Sequence, residues 1–131
     1  MNPSALAAFL HGHIPLSKAM DVSVVSASAE EVVLQAPLDP NINVHGTMFG
    51  GSVSTLGLLA AWSVLHLRLE AEGISNQLVI HKTGVEYLLP IKGPVLARAR
   101  LDGADWAGFR HMLDRRGKAR LSGEFVAIVE R

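Results

Sequence analysis

Cysteine is absent from the 131 residues. Disulfides, a thiolate nucleophile and zinc–sulfur sites are therefore excluded. An excess of positive charge is missing too: Lys and Arg number 12, Asp and Glu 12, and the formal net charge is +0. With no positive field and no basic tail, nucleic acid is excluded as a partner class. No basic residue leads an apolar run in Met1 to Phe9, so no secretory signal is expected and a cytoplasmic protein is. Charge is also lacking from Gly50 to Leu67, 18 residues long and close to the roughly 20 that cross a bilayer. Gly50, Gly51, Ser52, Ser54, Thr55, Gly57, Ser63 and His66 interrupt that run, and no second apolar run accompanies it. A helix enclosed by protein, with no membrane span, is the expectation.

The residues present are 49% hydrophobic and 18% charged, an apolar share high enough that part of it should be buried against another subunit. The length suits one domain, residues 1–131. Residues 3–12 predict a short helix, with Pro3 in its first turn and Leu6, Phe9 and Leu10 on one face. Met20 to Ala27 and Glu31 to Ala36 alternate as half-buried strands. Leu38 to Met48 is a loop rich in Pro, Asn and Gly. The charge-free helix should run over 49–72 and stop at Gly73. Gln77 to Leu89 reads as a long strand and Val95 to Asp102 as another. Trp106 to Val129 reads as two strands joined by a hairpin at Arg115-Arg116-Gly117-Lys118. The sum is an α+β layout, an antiparallel sheet curled around one long central helix.

The densest chemistry precedes that helix, in Asn41-Ile-Asn43-Val-His45-Gly-Thr47-Met-Phe49-Gly-Gly-Ser52. Two glycines at a helix start let a ligand approach the backbone closely. The free N–H groups and the positive end of the dipole suit an anion or a polarised carbonyl oxygen. Ser52 or Thr47 would cap the helix or touch the ligand. Asn41 and Asn43 are either turn formers bonded to their own backbone or polar donors. His45 carries an imidazole, a side chain type suited to proton transfer, and is either a base or a partner-interface or loop-packing residue.

This stretch, with Leu56, Trp62 and Leu67-Arg68 after it and Glu86-Tyr87-Leu88-Leu89-Pro90 further on, resembles the putative thioesterase family that also occurs as the C-terminal half of some acetyltransferase-like proteins. The resemblance spans residues 12 to 130. It implies a hotdog fold, a homodimer or dimer of dimers, and action on acyl-CoA or acyl-carrier thioesters. The strand bearing His81, Thr83, Val85 and Tyr87 would either line the pocket of the other subunit or serve a structural role alone. Substrate contacts are then expected from Thr47, Phe49, Gly50, Gly51, Ser52, Thr83 and Tyr87. The basic cluster Arg115, Arg116, Lys118 and Arg120 is either a solvated turn or a patch for a carrier's phosphates.

Broader hotdog thioesterases carry His-Gly-Gly and then an acid seven residues on. Here those positions hold Phe49 and Leu58, and no carboxylate lies on the helix before Glu70. General-base work falls to His45, with Asn43 orienting water and Asp39 as second choice. His66 is read as a core histidine, and His11 and His13 as surface residues. No histidine pair has the spacing of a zinc site, so neither metal nor cofactor is expected. Three functions compete. They are thioester hydrolysis, non-catalytic acyl or CoA binding, and dehydration of hydroxyacyl thioesters, which Leu58 disfavours.

Overall fold

The computed structural model describes residues 1–129. Two helices, α1 (Pro3–His13) and α2 (Pro15–Ala19), lead into strands β1 (Ser23–Ala27) and β2 (Glu31–Ala36). After a single 3-10 turn at Asp39–Asn41 comes α3 (Gly50–Ala71), then β3 (Val95–Arg100), α4 (Trp106–Arg116) and β4 (Phe125–Val129). The strands form one antiparallel sheet in the order β1-β2-β3-β4.

Alternation in β2 and β3 decides which face meets the helix. Val32, Leu34 and Ala36 are buried from β2, and Val95, Ala97 and Ala99 from β3. In-register pairs Val32↔Ala99, Leu34↔Ala97 and Ala36↔Val95 stack them side by side. Against this floor lie Val53, Leu56, Ala60, Val64 and Leu67 of α3, joined by Leu6 and Leu10 of α1. Full burial of a side chain such as Leu34 or Leu56 contributes about 1.5–3 kcal/mol. A sheet lying against one long central helix is the hotdog arrangement expected from the sequence.

The α3 run has the length and composition to cross a membrane, yet half of its apolar window is buried inside the protein. Its end follows the sequence signal. Gly73 takes φ +70, its amide bonds the Glu70 carbonyl at 3.0 Å, and the Ile74 amide bonds the Leu69 carbonyl at 2.9 Å. These two bonds satisfy carbonyls that the last turn would leave open.

Two expected strands are not formed. Gln77 to Leu89 is not a strand in this protomer. It is held to α3 by the Trp62 indole, which donates to the Leu78 carbonyl at 3.1 Å, and by Tyr87. β1 and β4 are the edges of the sheet, and this segment pairs with neither. Trp106 to Arg116 is a helix, not the first half of a hairpin. Asp105 caps it, accepting the Gly108 amide at 3.0 Å, and Gly117 ends it at φ 72. The same residues that alternate weakly also place Trp106, Phe109 and Leu113 on one helical face, and the caps decide for helix. The Arg115-Arg116 cluster therefore sits at a helix end.

Candidate functional site

The loop before α3 is built by two asparagines. Asn41 is buried and its Nδ2 donates to the carbonyls of Met20 at 2.9 Å and Pro37 at 2.8 Å. Its own carbonyl accepts the Phe49 amide at 2.7 Å, which sets where the helix begins. Asn43 organises the next turn. Its Oδ1 accepts the amides of His45 at 2.8 Å and Thr47 at 3.1 Å, and its Nδ2 donates to Thr47 Oγ1 at 2.8 Å. Side chains of this type commonly tie down turns in this way. The Met48 amide then bonds the Ile91 carbonyl at 2.8 Å, joining the loop to the chain just before β3.

Phe49 is the N-cap of α3 and supplies no side-chain cap. Neither Ser52 nor Thr47 makes the cap expected of them. Ser52 is held through its amide, which bonds the Phe49 carbonyl at 2.9 Å, and the Thr47 hydroxyl is taken by Asn43. Among the described residues the Gly50 and Gly51 amides have no acceptor. They point out of a helix start that carries the positive end of the dipole and no acidic residue in its first turn.

Two aromatic rings flank this glycine pair. A Cβ on Gly51 would lie 2.5 Å from the Phe49 ring, so only glycine fits there with the ring in place. On Gly50 it would lie 3.4 Å from the Tyr87 ring, whose hydroxyl donates to the Gly50 carbonyl at 2.8 Å. Both rings remain more than half exposed. The site is thus two open N–H donors between two accessible aromatic surfaces.

The remaining expected residues fall as follows. His45 is exposed on the Asn43 turn, immediately before the helix. Thr83 and His81 are exposed, and no hydrogen bond ties either to the α3 start among the described residues. Leu58 is half-buried, about two turns along the helix. His66 packs against both Trp62 and Phe9, with ring centroids 4.7 and 5.0 Å away, the two rings lying 6.1 Å from each other, and its Nε2 is 3.5 Å from Glu70. His11 is not simply a surface residue, since its Nε2 lies 2.7 Å from the Val22 carbonyl. Among the described residues no three His, Asp or Glu side chains are grouped to hold a metal ion. The tie between Tyr87 and Gly50 was not legible in the sequence, because a contact across 37 residues exists only once the chain has folded.

An open groove of about 720 Å³ lies at the other end of α3, lined among others by Arg68, Glu72, Trp106 and Arg110. It is the poorer candidate, because its charges already satisfy one another. Glu72 bonds both Arg68 and Arg110 at 2.6 Å, and Arg68 also lies over the Trp106 ring.

The fold and this helix start together define an α+β hotdog protein. A solved protein of unknown function from Chlorobaculum tepidum TLS superposes with TM-score 0.90 at 29% identity, over 99% of this chain and 83% of that one. A putative thioesterase from Shewanella oneidensis does so with TM-score 0.81 at 26% identity, over 98% and 86%. A thioesterase from Haemophilus influenzae, at 16% identity and TM-score 0.65 over 76% and 68%, shares the fold. The family described as "Putative thioesterase (yiiD_Cterm)" matches residues 3–130, and the chain belongs to that family.

Proposed function

We propose that the chain hydrolyses acyl thioesters, of acyl-CoA or acyl-carrier type, at the α3 start. The observation that carries the reading is the pair of open Gly50 and Gly51 amides in a chain of a thioesterase family. The thioester oxygen gains negative charge as water attacks the carbonyl carbon. Donors fixed at that oxygen stabilise the transition state by about 2.7–4 kcal/mol each in measured cases. His45 takes a proton from the attacking water. The C–S bond of the tetrahedral intermediate then breaks, and the departing sulfur receives that proton as a free thiol. Asn43 acts on this chemistry chiefly by shaping the turn that carries His45, since both its Oδ1 contacts and one Nδ2 contact are already used. Phe49 and Tyr87 flank the acyl group, with Thr47, Ser52 and Thr83 at the margins.

We further propose that the working form is a homodimer or dimer of dimers in the cytoplasm, with the pocket completed by a second copy. The protomer exposes 8133 Å², roughly 1,400 Å² more than the ~6,700 Å² usual for a monomer of 14.0 kDa. A standard interface covers about 800 Å² per partner. Part of the surplus is apolar: Val79, Leu88 and Leu89 are each more than 70% exposed on the segment that pairs with no strand.

A second reading, an acyl- or CoA-binding module without turnover, is favoured by Leu58 standing where broader relatives have an acid. Release of free thiol from a panel of acyl-CoAs, short to long chain and aryl, separates the two. Turnover that depends on chain length supports hydrolysis. Saturable binding of the same compounds without thiol release would establish the module instead.

A further inference from the structure

We infer that Tyr87 is a positioning residue for the Gly51 amide, acting through its hydroxyl. The inference rests on the proposed reading that this amide meets the thioester oxygen. The carbonyl of Gly50 and the N–H of Gly51 belong to one planar peptide unit. Tyr87 donates to that carbonyl at 2.8 Å. A bond at one end of the unit fixes its tilt and polarises it, which strengthens the N–H at the other end as a donor.

The helix has particular need of such a bond. Phe49 gives no side-chain cap, and the first two residues are glycines, whose backbone is the least restrained of all. Ordinarily a Ser, Thr, Asp or Asn at the N-cap holds the first turn. Here Phe49 braces Gly51 from one side and Tyr87 holds the Gly50 carbonyl from the other. Tyr87 itself sits on a segment without ladder bonds, pinned otherwise at Leu78 by Trp62 and at Ile91 by Met48. The Gly51 donor is thus held by a residue distant in sequence, at a helix start that no cap side chain secures.

The test is Tyr87→Phe, which keeps the ring and deletes the oxygen. Turnover of the preferred acyl-CoA should fall about tenfold in kcat, in line with loss of one hydrogen bond's worth of stabilisation, with KM and the pH profile unchanged. The ¹⁵N relaxation order parameter of the Gly51 amide should fall, as its peptide unit loses the Tyr87 bond, while those in β2 and β3 stay the same. An unchanged kcat, or a raised KM with kcat intact, would overturn the inference, the latter by making the hydroxyl a substrate contact. If the wild-type protein releases no thiol from any acyl-CoA, the hydrolytic reading fails. The Gly51 order parameter then decides the positioning claim alone: a lower value in Tyr87→Phe upholds it and an equal value removes it.

Discussion

The two ends of α3 treat their unpaired backbone groups in opposite ways. At the C-terminal end Gly73 and Ile74 return their amides to Glu70 and Leu69. Arg68, Glu72, Arg110 and Asp114 then link into one chain of ion pairs under the Trp106 ring. At the N-terminal end, among the described residues, no side chain caps the helix and two amides stay open, and two aromatic rings stand exposed beside them. One helix end is thus closed by paired charges and returned amides, and the other leaves its donors open.

Substitutions at each end should fail differently. His45→Ala has the largest expected effect, a loss of about 10²–10⁴-fold in kcat for acyl-CoA hydrolysis. Because His45 is exposed, its thermal unfolding should match the wild type. Unchanged turnover would remove it as the base. Next is Asn41→Ala, which strands a buried carbonyl at Met20 and a partly buried one at Pro37. A cost of about 2–4 kcal/mol in denaturant unfolding is expected, together with disturbance of the α3 start, since Asn41 also receives the Phe49 amide.

At the closed end the effects fall on stability alone. Asp105→Ala removes the α4 cap and should cost about 1 kcal/mol with kcat intact. Smallest is the pH effect at Glu72, whose carboxyl is held below its ordinary value by the hydrogen bond from Arg68 and by the nearby Arg110 charge. A depressed carboxylate contributes stability that is complete above its unfolded value and lost as pH falls through the folded one. Glu72→Gln should therefore differ from wild type at neutral pH, and the difference should fade in acid below the ordinary carboxylate range. High salt should shrink it as well. A difference that grew in acid would contradict the assigned ion pairs.

The same contrast marks what the sequence made legible. The α3 run, its stop at Gly73 and the β2 span Glu31 to Ala36 are local patterns, and they stand where the residues placed them. So do the glycines at the helix start, because an open N-terminus is a property of the chain itself. Strand pairing is relational. Gln77 to Leu89 carries the pattern of a strand, yet a pattern cannot say whether an edge is within reach. In Trp106 to Arg116 the cap at Asp105 and the stop at Gly117 outweigh a basic turn that resembled a hairpin tip. Nor can spacing reveal that Tyr87 returns to Gly50, or that Asn43 spends its side chain on the turn.

The central claim is that the open amides of Gly50 and Gly51 receive the carbonyl oxygen of an acyl thioester. Titrating the ¹⁵N-labelled protein with a non-hydrolysable acyl-CoA ketone analogue tests it most directly. The account predicts saturable shifts of the Gly50 and Gly51 amide signals, with those of Ile74 and Arg110 unmoved. Shifts confined to the Arg68–Glu72–Arg110 end, with the two glycine amides unmoved at saturation, would contradict it.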